Sequence, residues 1–137
     1  MGKATAVILA AGKGTRMRSA RPKVLHEVCG ITLLACVIEA VQNTEISEII
    51  VVVGDKKEEV KDSLKGVSVK IVEQPVQLGT AHAVLSASHM LSDLTDVVVV
   101  LNGDAPLIKP ETLKRLITVN KEADADLTLL TALVDKP

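Results

Sequence analysis

The sequence predicts an α/β domain, an open, doubly wound and mostly parallel sheet with helices on both faces. Three observations carry that reading. Apolar runs rich in Val, Ile and Leu alternate with segments of helical period along the whole chain. Most of those runs are continuous, the pattern of parallel strands covered on both faces. Their order, β-α-β-α-β-α-β-α-β, closes by right-handed crossovers into a Rossmann-like sheet.

The first strand is read at 4–10, from Ala4 through the run Ala6-Val7-Ile8-Leu9. In 33–41 the apolar residues Leu33, Leu34, Val37, Ile38 and Val41 follow the spacing of an amphipathic helix. A second strand is predicted at 48–53. A short charged helix follows at 56–65, with Val60 and Leu64 facing inward. The third strand is placed at 68–72. The helix after it, 80–91, follows Gly79 and carries Ala83, Val84, Ala87 and Leu91. The fourth strand is placed at 96–101. Pro110 stands where a first helical residue is tolerated, ahead of the stripe Leu113, Leu116 and Ile117. A fifth strand is predicted at 126–133, and its late position suggests a domain that continues past residue 137.

The 137 residues amount to one domain, and 47% hydrophobic with 24% charged residues is a globular composition. No apolar run approaches the roughly 18 residues of a membrane span. The first strand starts too early to leave room for a signal peptide, so a cytoplasmic location is expected, with no membrane partner. A net charge of -1 argues against nucleic acid as a partner. Phe, Tyr and Trp are absent, which removes the stacking platforms of single-strand binders. A nucleobase would therefore have to be read by hydrogen bonds and aliphatic contact. Cys29 and Cys36 have neither a metal nor a redox spacing and read as reduced, partly buried apolar residues. His26, His82 and His89 form no cluster and read as structural or polar packing groups, which leaves no zinc site.

Three loops leave the carboxyl ends of strands, where ligands bind in such sheets, and should converge on one crevice. The first, 10–23, holds Gly12 and Gly14 with five cations, Lys13, Arg16, Arg18, Arg21 and Lys23, and no acid. Bare backbone N–H groups and clustered cations suit phosphates. The loop is not a dinucleotide fingerprint, because position 17 is Met, and not a Walker loop, because Gly14 follows Lys13. The second loop runs Glu73-Gln74-Pro75-Val76-Gln77-Leu78-Gly79-Thr80. Gln74 and Gln77 offer both donor and acceptor to a base edge, Gly79 permits close backbone approach, and Thr80 is placed to cap the next helix. The third loop, Asn102-Gly103-Asp104, puts a carboxylate at a strand end, suited to one Mg²⁺ that keeps its waters and takes phosphate oxygens.

Leu9-x-x-Gly12-x-Gly14-Thr15-Arg16-Met17 followed by Pro22-Lys23 resembles the signature of the nucleotidyltransferases that join a nucleoside triphosphate to a sugar or alcohol phosphate. Gln77-Leu78-Gly79-Thr80-x-His82-Ala83 closely resembles the N-acetylglucosamine-1-phosphate uridyltransferases within them. The resemblance implies UTP and a sugar 1-phosphate as substrates, Mg²⁺ as cofactor, and a product used in cell-wall synthesis. It implies a cradle of Leu9, Ala10, Ala11, Gly12, Lys13, Gly14 and Thr15, with Arg16 on the β- and γ-phosphates and Lys23 on the α-phosphate. Gln74, Gln77, Gly79 and Thr80 then lie at the uracil, Asn102 and Gly103 near the sugar–phosphate junction, and Asp104 on the metal. Asn102 stands where relatives can carry an aromatic residue. The family's later sugar-binding residues, second metal ligand and trimerising acetyltransferase half fall beyond residue 137, so a homotrimer is expected of the full-length protein. The first loop fits cytidylyl, thymidylyl and guanylyl transfer equally well, and a non-catalytic nucleotide-binding module shares the fold-level pattern.

Overall fold

The structure, a computed structural model, describes residues 3–12, 14 and 17–134. Four parallel strands form the sheet: β1 (Lys3–Ala10), β4 (Glu48–Val53), β5 (Lys70–Glu73) and β6 (Thr95–Asn102), in the order β5-β4-β1-β6. A two-residue-per-strand antiparallel hairpin, β2 (Glu27–Val28) with β3 (Ile31–Thr32), lies outside it. The helices are α1 (Leu33–Gln42), α2 (Lys57–Ser63), α3 (Thr80–Ala87) and α4 (Pro110–Glu122). Pro110 is at the start of α4, as its fixed φ predicts.

The chain winds outward from β1 through β4 to β5, then returns through α3 to place β6 on the other side of β1. Strand order therefore reverses at β1, and the crevice opens at the carboxyl ends of β1 and its neighbours. Alternate residues of β1 and β4 feed two cores. Ile8, Val51 and Val53 pack with Leu34, Val37, Ile38 and Val41 of α1, Val60 of α2 and Leu113 of α4. Val7, Ile50 and Val52 pack against Ala83 and Ala87, whose small side chains let α3 lie close to the sheet. Thr32 caps α1 by accepting from the Ala35 amide at 3.1 Å.

Three expectations are corrected. Residues 126–133 form no strand, and Leu127, Leu129, Leu130 and Leu133 are exposed. With no further strand beside it among the described residues, β6 is an edge, and Val98 and Val100 on its uncovered face are exposed too. The 2–3 hairpin turns through Cys29 (φ 53) and Gly30 (φ 81), two successive left-handed residues as a tight primed turn requires. Cys29 is thereby exposed rather than partly buried, while Cys36 is half-buried. Thr80 is the first residue of α3 and not its cap. Gly79, at φ 99, holds that position, and no side chain caps the helix.

Glu73 ties α2 to the end of β5. It accepts hydrogen bonds from the ammonium groups of Lys57 and Lys61, both at 2.6 Å. Those two bonds hold its carboxyl down to about 2 from an ordinary 4.5. A depressed carboxyl contributes stability above its unfolded value and loses it as pH falls through the folded one. Thermal unfolding should therefore find Glu73→Gln slightly less stable than the parent near neutrality, the gap closing between about pH 4.5 and about pH 2. The effect is small because the network is exposed. A gap that persists unchanged to pH 2 would assign it to lost packing instead.

Candidate active site

Two of the three loops are fixed by a backbone bond to a neighbouring strand end, and the first by a turn of its own. The Gly103 amide donates to Leu9 O at 2.9 Å, locking the loop after β6 to the end of β1. The Gln74 amide donates to Val53 O at 2.7 Å, locking the loop after β5 to β4. Pro22, Val24 and Leu25 anchor the first loop. A 3₁₀ turn over Lys23–Leu25 is held by bonds from Leu25 N to Pro22 O and from His26 N to Lys23 O, with Val24 and Leu25 buried. Lys23 thus stands on a rigid base although its side chain is half-exposed.

The loops enclose a cavity of about 480 Å³. Leu9, Ala11, Gly12 and Gly14 line it from the first loop, with Lys23 and Val24. Gln74, Gln77, Gly79 and Thr80 line it from the second, with Ala83 one turn into α3, and Asn102 and Asp104 from the third. The convergence expected from the strand ends is therefore present. Ala10 and Gly103 are buried and do not reach the cavity wall. Lys13, Thr15 and Arg16 lie outside the described residues. Val24 and Ala83 were missed, although each adjoins or follows by one helical turn a residue that was named.

Gly14 explains how the first loop turns back on Lys23. It has φ +59, and a Cβ placed on it would come within 3.0 Å of Lys23 Cβ. Gly54, just past β4, supports the wall from behind. A Cβ there would lie 2.8 Å from Ala11 O, 2.9 Å from Ala11 Cβ and 2.9 Å from Gln77 Nε2. Because one obstacle is backbone, Gly54→Ala is expected to destabilise by about 1–3 kcal/mol in urea unfolding. No measurable loss would show that the glycine loop yields freely.

The polar groups have distinct states. Lys23 Nζ and Asp104 Oδ2 form an ion pair at 2.5 Å across the cavity mouth. Gln77 Oε1 is buried without a hydrogen-bond partner among the described residues, an acceptor awaiting a donor. Gln74 is buried, and its amide nitrogen donates to Gly79 O at 3.2 Å and contacts His82 Nδ1 at 2.9 Å. Among the described residues no group of three or more His, Cys, Asp or Glu could hold a metal by itself. Among the described residues Asp104 is the one carboxylate on the cavity wall. A hard oxygen donor of this kind, facing an open cavity, fits Mg²⁺, which takes one or two carboxylates and completes its shell with other oxygen ligands and water. No described helix is long and apolar enough to cross a membrane.

The MobA-like NTP transferase domain family matches residues 6–134. The chain is 47% identical over 133 residues to the bifunctional protein GlmU of Clostridium novyi, covering 97% of this chain and 29% of that protein. It is 48% identical over 135 residues to the protein of the same name from Alkaliphilus metalliredigens, covering 98% of this chain and 29% of that one. The chain thus spans 29% of the length of these relatives. Among solved structures it superposes on a nucleotidyl transferase from Methanothermobacter thermautotroptrophicus with a TM-score of 0.78 and 30% identity, over 85% of this chain and 57% of that one.

Proposed function

This chain belongs to the family of MobA-like NTP transferase domains, and from that premise we propose that it forms the nucleotide side of a site transferring a uridylyl group from UTP to N-acetylglucosamine 1-phosphate. The observation that carries the reading is the meeting of three loops on one cavity: glycines with Lys23, the Gln74–Thr80 segment, and Asp104. The uridine assignment is supported by the sequence Gln77-Leu78-Gly79-Thr80-x-His82-Ala83 and by relatives named bifunctional protein GlmU.

In such a transfer the sugar phosphate oxygen attacks the α-phosphorus in line and pyrophosphate leaves. That oxygen is an anion at neutral pH, so the reaction asks for alignment and charge neutralisation rather than for a protein base. Backbone from Leu9 to Gly14, with Lys13 and Thr15, cradles the nucleotide in this proposal. Lys23 meets the α-phosphate and Arg16 the departing phosphates. Gln74, Gly79 and Thr80 read the uracil, with Gln77 offering its unpaired acceptor beside them. Asn102 and Gly103 border the sugar–phosphate junction. Asp104 would hold Mg²⁺, which when bound supplies positive charge at the phosphates undergoing transfer. Lys23 must then leave Asp104 for phosphate, exchanging one anionic partner for another. The sugar side and any assembly into a trimer are assigned to sequence that the longer relatives carry outside the matched region.

Scanning calorimetry of the chain with UTP, CTP, dTTP or GTP, each with and without Mg²⁺, tests this. A ligand that binds only the folded state at a hundredfold excess over Kd stabilises by about 2.7 kcal/mol. The expected result is a rise largest with UTP and larger still with Mg²⁺, the Mg²⁺ increment vanishing in Asp104→Asn. An equal response to all four triphosphates, or one largest with CTP, would overturn the uridine assignment. Equal stabilisation with and without Mg²⁺ would point to a non-catalytic binding module.

A further inference from the structure

We infer that His82 is a positioning residue for base selection: it holds the Gln74 carboxamide so that its oxygen is offered to the cavity, favouring a base with a ring N–H over cytosine. The inference rests on the nucleotide reading of the cavity above and adds what sets its preference.

The geometry leaves Gln74 little freedom. The residue is 5% exposed, so its amide nitrogen depends on protein partners. A carboxamide nitrogen carries two N–H groups and no acceptor. One N–H donates to the backbone carbonyl of Gly79 at 3.2 Å, which cannot be anything but an acceptor. That fixes which end of the amide is nitrogen. The same nitrogen lies 2.9 Å from His82 Nδ1, so Nδ1 must accept and the imidazole proton must sit on Nε2. Both N–H groups are then used. The carboxamide oxygen takes no partner among the described residues, and it is the group Gln74 has left for the cavity it lines.

That oxygen sorts pyrimidines by their ring N3. Uracil carries a hydrogen on N3 and can donate to it, whereas cytosine presents a lone pair. Cytosine could be accommodated only by turning the amide over. The turn would set the amide oxygen against the Gly79 carbonyl and break the shorter bond, the one to His82 Nδ1. A site whose buried polar groups are left unpaired by the wrong ligand discriminates more strongly than apolar contact does. His82 sits two residues after Thr80 on the first turn of α3, and Ala83 and Ala87 seat that helix on the sheet, so the imidazole is held by the fold.

The test has two arms. In the nucleotide-free chain, ¹⁵N imidazole shifts at neutral pH should show His82 as the Nε2–H tautomer. An Nδ1–H tautomer would overturn the inference whatever the chain binds. In the second arm, the ratio of CTP to UTP dissociation constants is measured by titration calorimetry. His82→Leu should narrow that ratio by roughly tenfold, the equivalent of about 1.4 kcal/mol. His82→Asn, whose side-chain oxygen stands near the place of Nδ1, should restore it. If His82→Leu weakens UTP and CTP equally, or leaves the ratio unchanged, the residue is merely structural and the inference fails while the uridine reading survives. If the parent chain itself shows no preference for UTP, the uridine reading fails and this inference with it.

Discussion

Lys23→Ala is expected to lower kcat/KM for pyrophosphate release by about 30- to 1,000-fold, the equivalent of about 2–4 kcal/mol of transition-state stabilisation. The stability of the fold should barely change. The Lys23 and Asp104 side chains are 39% and 31% exposed, and an ion pair that open to water contributes about 0–1 kcal/mol. The turn beneath Lys23 is held by its own backbone bonds and by the buried Val24 and Leu25, none of which the substitution touches. Rate and stability should therefore separate. The nucleotide-free pair makes the loss smaller than a missing cation alone would give, because the parent Lys23 has to give up Asp104 to reach phosphate. Lys23→Arg should recover only part of the rate, since a planar fork replaces a compact charge whose base is fixed. A fall of less than about tenfold, or 1.4 kcal/mol, would remove Lys23 from the reacting phosphates. A large fall accompanied by an equally large loss of stability would make it a structural residue.

The parts of this molecule that were legible in its sequence are those written in short range. The run Ala6–Leu9 is apolar on both faces because β1 is buried on both, and its glycines follow at once. The spacing of Leu34, Val37, Ile38 and Val41 is the face that α1 buries. Asp104 was read as a cavity carboxylate because it ends a buried strand, and it lines the cavity. What was not legible depends on partners distant in sequence. The ion pair of Lys23 with Asp104 joins two loops far apart in the sequence, and no spacing announces it. Nor does any local pattern reveal that Gly54 faces Ala11 and Gln77, since the contact exists only once β4 lies beside β1. The run 126–133 failed as a strand for a related reason. An apolar run becomes a strand only where a sheet edge pairs with it, and its leucines are exposed here instead. The 2–3 hairpin escaped because its strands are two residues long and its turn is Cys29-Gly30 rather than the commoner Asn-Gly. For the family resemblance the requirements were different: it needs only the identity of residues in the loops, which the sequence states outright.

Leu34→Ala is expected to cost about 2–5 kcal/mol, the range for emptying a buried leucine site. Leu34 is 1% exposed and sits in the second position of α1, beneath the site rather than in it. A Cβ on Gly103 would lie 3.3 Å from Leu34 Cδ1, 3.3 Å from Val24 Cγ1 and 3.0 Å from Leu9 O. Leu34 is therefore the floor on which the turn carrying Asp104 rests, next to the valine that anchors Lys23. A domain of this size has about 5–15 kcal/mol of stability, so the substitution removes a large share of it. Urea unfolding would measure the cost, and a value below about 1 kcal/mol would mean that the floor closes over the gap. The functional consequence is the reverse of that expected for Lys23→Ala. Both charged groups survive, so at low temperature, where the chain stays folded, the rate should fall far less than in Lys23→Ala. The loss should grow as the unfolding transition is approached. If the rate instead fell as far at low temperature as in Lys23→Ala, the packing of Leu34 under Gly103 would itself be setting the geometry of the cavity.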